Sequence, residues 1–425
     1  MVISMDTPRK LIVGYDLCED YSQISCYSYK SSEPVPISTR EEDEQSLIPT
    51  ALCVKGDTKQ WLFGEEAINC GANNAGVLVD HLLEKLLQGT ETTVYGQDFS
   101  AVSLMEKYFR KTLLLIKNYF PTEQITKMVV TVRNTHPALV EGIYAALAQL
   151  GLDKDRVVVM SHAGAFLYYA LNQDKSLWMN DIGLFDFSRE GFLYYQIRLN
   201  RRTKPMIAGL NREDFSSTLN YRMILNQPEK IAFTFENIAE TVLFKKLVTT
   251  LYFTGRGFDG DWAQEAIQSL CTGRRAFMGQ NLYTKGACYA AKELSGDRKL
   301  DEIILLDDDM ITSVIGVRVY KDTKFQEVTL AEAGEIWYEV NKSIEVIPDG
   351  EVELELVLRN IMTKEIVREK IHLTKLPQRP ERMTRLEIKL TCKDKNTGKI
   401  TVSDLGFGEI YAETGPIMEF SIEIG

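Results

Sequence analysis

Near residue 305 the hydrophobic pattern of this chain changes period, and no single layered architecture accommodates both sides of the change. Before it, apolar runs of strand length alternate with stretches of helical spacing. After it, apolar and polar residues alternate at every second position towards Gly425. A period of two turns one face of an antiparallel strand inward, whereas strand–helix alternation builds a layered α/β sheet. Val352-Glu353-Leu354-Glu355-Leu356-Val357-Leu358 and Leu386-Glu387-Ile388-Lys389-Leu390 carry the period-two signature. Pro348-Asp349-Gly350, Asn396-Thr397-Gly398 and Gly406-Phe407-Gly408 punctuate it as turns. Residues 311–425 are therefore predicted to form an all-β, sandwich-like module.

The earlier part reads as α/β. Lys10 to Val13, running into Gly14-Tyr15-Asp16, and Ile24 to Tyr29 form a predicted hairpin. Arg40 to Gln45 is a charged, solvated loop. Pro49 to Val54 and Trp61 to Phe63 read as a further strand pair, and Leu104 to Tyr119 has helical spacing. Met128 to Val132 is a buried strand, Pro137 to Leu150 a helix closed by Gly151, Arg156 to Met160 a strand and Ala163 to Leu171 a helix. Ile182 to Phe187 and Gly191 to Leu199 then repeat the opening strand–turn–strand pattern, so two halves begin alike. Phe235 to Leu247, Asp261 to Leu270 and Leu282 to Glu293 follow as helices, with Thr249 to Thr254 a strand.

Composition narrows the function classes. The 425 residues carry 49 basic and 60 acidic side chains, a net charge of −11, which argues against a nucleic-acid partner. No stretch approaches the ~20 apolar residues that cross a bilayer, and Met1 to Lys10 lacks the apolar core of a signal peptide. A soluble, cytoplasmic protein without a membrane partner is expected. Cys18, Cys26, Cys53, Cys70, Cys271, Cys288 and Cys392 are odd in number and spread out, which predicts reduced thiols. None forms CxxC. His81, His136, His162 and His372 lie at no ligand spacing from them, so neither a zinc site nor a hydrolytic triad is expected. Gly255-Arg256-Gly257-Phe258-Asp259-Gly260 fits GxGxxG, yet no acidic residue stands about 20 positions on, and it reads as a strand-to-helix turn. Asp307-Asp308-Asp309 reads as a solvated hinge.

Three stretches resemble the actin-like ATPase superfamily, and within it a degenerate, lidless form of the DnaK-type, seventy-kilodalton heat-shock chaperones. Val13-Gly14-Tyr15-Asp16-Leu17 with Tyr21-Ser22 resembles the first phosphate hairpin. Val129-Val130-Thr131-Val132 and the helix near Ala163 resemble the first lobe's crossover. Ile303 to Asp307 resembles the apolar interdomain linker. It is followed in matching order by Leu376-Pro377, Leu386 to Leu390 and Asn396 to Val402. The resemblance implies an actin-like (ribonuclease-H-like) two-lobed α/β body followed by a β-sandwich. Lobe I would span 1–180, a reduced lobe II 181–302, a linker 303–310 and the module 311–425. The last helix, 282–296, is expected to return to lobe I.

The same resemblance implies a site for Mg-ATP or Mg-ADP, and places Asp16 and Asp186 at its metal positions. Arg189, Gly255 and Arg256 would contact nucleotide, the last two near the base. The loops depart from that pattern. Cys18 replaces a glycine, Glu19 and Asp20 replace paired hydroxyl residues, and Ser188-Arg189-Glu190 replaces a glycine run. Two carboxylates beside a polyphosphate repel by about 1 kcal/mol per charge pair even in water. Met160 stands where the family has a glutamate, and only Asn200 to Thr250 fill the interval of the helical base clamp. The expected function is a chaperone-like protein-binding or scaffolding pseudo-ATPase, engaging a protein or peptide through 311–425 and having no assigned catalytic residue. The alternative is an active chaperone-like or sugar-kinase-like ATPase with unusual loops. An actin-like filament protein is a further rival, against which the β-module argues.

Overall fold

The strand Leu11–Leu17 (β1) is buried along its whole length, as a central strand with both faces covered must be. The computed structural model describes residues 10–38, 46–349 and 353–425. Met1–Arg9, the predicted loop at Arg40–Gln45 and Gly350 of the predicted Pro348-Asp349-Gly350 turn lie outside the described residues. So does Val352, the first residue of one period-two run.

β1 forms a hairpin with β2 (Tyr21–Ser28), which continues antiparallel to β3 (Glu33–Pro36). On its other side β1 pairs in parallel with β4 (Ile125–Val132), which pairs in parallel with β5 (Val157–Ser161). The order along this path is β5-β4-β1-β2-β3, with the short strand Ile48–Pro49 on β2 as well. The helices α1 (Ala101–Tyr119), α2 (Pro137–Ala148) and α3 (His162–Asn172) connect or follow these strands. Ser100 caps α1 by accepting the Ser103 amide, and Ser161 caps α3 by accepting the Gly164 amide.

A second sheet repeats the arrangement. β6 (Asp181–Ser188) forms a hairpin with β7 (Gly191–Asn200), beside which lies β8 (Met206–Asp214). β6 also pairs in parallel with β9 (Val248–Thr254), and β9 with β10 (Arg275–Met278), giving the order β10-β9-β6-β7-β8. Equivalent positions coincide: Asp16 of β1 sits opposite Thr131 of β4, and Asp186 of β6 opposite Thr254 of β9. α4 (Pro228–Leu243) packs Ile231, Phe235, Ile238 and Ala239 into an aromatic core with Phe185, Phe187, Phe192, Phe253 and Phe258. That core fills the short interval between the hairpin and β9. α5 (Leu282–Leu294) runs across β1 and β4 and against α3. It comes so close that a Cβ on Gly14 would lie 2.3 Å from the Cys288 amide nitrogen and the Thr284 carbonyl oxygen. Only glycine permits that approach.

The chain divides into two compact units, one from the N-terminus to Leu199 plus Leu210–Glu302, the other Asn200–Gly209 plus Ile303–Gly425. The predicted division at 180/181 therefore falls inside a single unit. The predicted 303–310 linker also changes character. Ile303–Leu306 is a strand, β11, paired in parallel with Met206–Gly209 of β8 within the second unit. Its four apolar residues pair with a strand instead of spanning a gap.

The rest of the second unit is all-β. β12 (Ser313–Lys321), β13 (Lys324–Ala331), β14 (Asn341–Val346), β15 (Glu353–Asn360), β16 (Ile366–His372), β17 (Leu386–Asp394), β18 (Thr397–Asp404) and β19 (Gly415–Glu423) form two antiparallel four-stranded sheets. Their orders are β13-β12-β15-β16 and β14-β17-β18-β19. Ile315, Val317, Leu356 and Leu358 of one share a core with Ile388, Leu390, Ile400 and Val402 of the other, as a sandwich requires. Among the described residues no helix is long and apolar enough to cross a membrane.

Candidate functional site

In open sheets with parallel strands, ligand positions lie beyond the carboxyl ends of those strands. In the first unit those ends carry chemistry. β1 carries Asp16 one residue before its end, β4 is followed by Arg133, β5 by His162, β6 reaches Asp186 and Ser188, and β9 ends on Thr254 before Gly255 and Arg256. All of these line one cavity with Arg189, Glu190, Cys18, Asp20, Tyr21 and Tyr283. The five residues expected to serve nucleotide, Asp16, Asp186, Arg189, Gly255 and Arg256, are thus brought together.

Neither aspartate is free. The Asp16 carboxylate meets His162 Nε2 at 2.8 Å, and both side chains are buried. The Asp186 carboxylate, with 3% of its side chain exposed, accepts from Arg133 Nη1 at 3.2 Å and from the Tyr283 hydroxyl at 2.9 Å. Arg133 also donates to Ser188 Oγ at 2.7 Å and pairs through Nε with Glu190 at 3.5 Å. The His162 and Tyr283 rings stack with centroids 3.7 Å apart, joining the two halves of the network.

The electrostatics follow from burial. Burial, then the Asp186 carboxylate, push the Tyr283 phenol well above its usual range, so it stays a donor. Burial alone would lower the Arg133 guanidinium, but Asp186 and Glu190 carry it above the ordinary arginine value, and its charge is permanent. Burial raises the Glu190 carboxyl against the opposing pull of Arg133. Burial, then Asp16, raise the Cys18 thiol well above its usual value.

Two arginines cross the cavity from equivalent positions of the repeat. Thr131-Val132-Arg133 and Thr254-Gly255-Arg256 both end a parallel strand. Arg133 reaches the β6–β7 hairpin, while the Arg256 guanidinium lies 4.9 Å from the Tyr21 ring centroid at the β1–β2 hairpin and pairs with Asp259. Arg189 lies against the Tyr221 ring at 5.8 Å. Gly255 has φ +93, and a Cβ there would stand 2.3 Å from the Phe187 carbonyl oxygen. Its glycine serves packing onto β6, and the GxGxxG segment is a turn against Phe187.

The cavity measures about 70 Å³, room for a few waters and far below the several hundred cubic ångströms of a ligand pocket. The residues present therefore do not fit Mg-ATP or Mg-ADP. Asp186 is neutralised by Arg133 and Asp16 is hydrogen-bonded to His162, so a nucleotide's magnesium would have to displace both contacts. Glu190 contributes to the network, but Glu19 and Met160 do not. Glu19 accepts the Glu84 amide at 3.0 Å, at the start of the 82–88 helix, and Met160 sits on β5 opposite Thr131.

Sequence reasoning missed Arg133, His162 and Tyr283. The T-x-R repeat, 131–133 and 254–256, was the available signal for Arg133. No histidine stands at ligand spacing from a cysteine in sequence, but the fold brings His162 Nε2 to 3.7 Å from Cys18 Sγ across 144 positions.

Residues 33–308 match a family described as Family of unknown function (DUF5716) C-terminal, and residues 310–424 a Domain of unknown function (DUF8552). The first match covers more than half of the chain, which therefore belongs to that family. No curated protein matches it.

Proposed function

We propose that this member of the DUF5716 C-terminal family is a non-catalytic scaffold. In this reading an actin-like (ribonuclease-H-like) body has lost its nucleotide, and the β-module engages a protein partner in the manner of a chaperone-like relative. The repeated sheet order, with Asp16 and Asp186 at equivalent positions, supports the actin-like reading. The observation that carries the loss of nucleotide is the internal compensation of both aspartates by His162 and Arg133.

Arg133 ties Asp186, Ser188 and Glu190 of the β6–β7 hairpin together at the place where a phosphate would enter. Admitting a nucleotide means breaking a buried ion pair, which costs about 3–5 kcal/mol. At about 1.4 kcal/mol per decade, that weakens affinity by roughly two to four powers of ten. The module offers apolar surface to a protein. Tyr320 and Phe325 pair edge-to-face and exposed at one hairpin, and Ile366 and Val367 are exposed on the edge strand β16.

Calorimetric titration of metal-stripped protein with Mg-ATP and Mg-ADP tests the reading. No saturable heat is expected. Micromolar binding accompanied by turnover would overturn it and leave the active-ATPase alternative.

A further inference from the structure

Cys18 has no counterpart in chemistry elsewhere in the network, which is otherwise built of carboxylates, cations and hydroxyls. Its sulfur lies 3.6 Å from Asp16 Oδ1 and 3.7 Å from His162 Nε2, and the oxygen and nitrogen are 2.8 Å apart. Together they form one carboxylate, one thiol and one imidazole within 4.8 Å of one another. We propose that Asp16, Cys18 and His162 form a three-ligand site for a divalent cation of the zinc class, its fourth position open to the cavity.

The distances can be compared with those of a tetrahedral ion. Bonds of about 2.3 Å to sulfur and about 2.0 Å to nitrogen or oxygen place sulfur about 3.5 Å from each of the other two ligands. The same geometry separates nitrogen from oxygen by about 3.3 Å. The two sulfur distances already match within a few tenths of an ångström. Only the Asp16–His162 contact has to lengthen, by about half an ångström, as a hydrogen bond gives way to a shared ion. All three residues line the cavity, whose roughly 70 Å³ admits a water as fourth ligand.

The donor set also selects the metal. Thiolate and imidazole suit zinc and its borderline neighbours, whereas magnesium demands near-octahedral oxygen and keeps its waters. The site is thus chemically distinct from one that serves a nucleotide's magnesium. Binding releases the Cys18 thiol proton to solvent and requires Nε2 to give up the proton it shares with Asp16, so that the imidazole coordinates with its remaining proton on Nδ1. Among the described residues Nδ1 has no hydrogen-bond partner. Metal-bound histidines usually have such a partner, and its loss weakens affinity about 10–100-fold, so moderate affinity is expected.

The test is cobalt(II) titration of the reduced, metal-stripped full chain, read by absorption, followed by displacement with zinc. One equivalent should bind with a thiolate-to-cobalt charge-transfer band and tetrahedral d–d bands. Cys18→Ser, which nearly conserves shape, should abolish the charge-transfer band and weaken zinc binding about tenfold or more. His162→Ala should do the same to zinc binding, and Cys271→Ser, at an exposed thiol, should change nothing. No band in the parent chain, or a band that survives Cys18→Ser, would overturn the proposal. Neither outcome alters the calorimetric result with nucleotide, so the two readings fail separately.

Discussion

Replacing Arg133 by methionine keeps an unbranched chain of similar reach and deletes the guanidinium that pairs with Asp186. In the parent both side chains are nearly buried, 9% and 3% exposed, and the carboxylate has two donors, Arg133 and Tyr283. The substitution leaves a buried carboxylate with a single neutral donor. It also leaves Ser188 Oγ without Arg133 and Glu190 without its cation. Removing one member of a buried ion pair costs about 3–5 kcal/mol. For a unit of this size each kcal/mol moves the melting temperature by about 2 °C, so Arg133→Met should melt about 6–10 °C lower at pH 7. Differential scanning calorimetry reads this for the transition of the first unit. Adding Asp186→Asn removes the stranded charge and should recover at least half of the loss, because the amide still accepts from Tyr283. A single mutant within 2 °C of the parent, or a double mutant no better than the single, would refute the claim that Arg133 neutralises Asp186.

The β-module has a comparable pair. Arg379 contacts both Asp404 oxygens at 2.7 Å, and Gly406 N–H and Thr414 Oγ1 also donate to that carboxylate. Asp404→Asn should therefore destabilise the module by about 3 kcal/mol in urea titration. Burial, which alone would raise Asp404, is outweighed by those donors, and its value is held below the usual carboxylate range. Its stabilisation is present above the unfolded value of about 3.9 and is lost as pH falls through the lower folded value. Asp307 has the opposite sign. Burial, then Asp308 and Asp309, push it up to about 8, so its contribution declines as pH rises from about 4 through 8. Asp307→Asn should raise the melting temperature at pH 9 more than at pH 5, and equal shifts at both would contradict the assignment. Gly14→Ala places a methyl group against the α5 backbone, and the chain should lose soluble yield or melt at least about 5 °C lower.

The fold was legible where hydrophobic period carries it. The full burial of β1 and the alternation of β15 and β17 follow from the apolar spacing of LIVGYDL, ELELVL and LEIKL. The matching starts of β1–β2 and β6–β7 pointed to the repeat. The strand at Ile303–Leu306 was not legible as such, because four apolar residues suit a strand and a linker alike, and its partner lies near residue 206. The site was half legible. Asp16 and Asp186 stand at strand ends that any hairpin reading singles out. Their partners come from elsewhere: Arg133 is 53 positions from Asp186 and His162 is 146 from Asp16. Sheet order brings His162 to Asp16, because β4 and β5 lie beside β1 in parallel, and Arg133 reaches from the end of β4 to Asp186 on the second sheet. Cys18 looked like a thiol without partners for the same reason.

The most direct test is the melting temperature of the first unit with and without millimolar Mg-ATP. A ligand at 100 times its dissociation constant adds about 2.7 kcal/mol, or about 5 °C in a unit of this size. With Arg133 and His162 already holding Asp186 and Asp16, the predicted shift is under 1 °C. A saturable rise of several degrees, dependent on both magnesium and ATP, would contradict the internal compensation of the two aspartates.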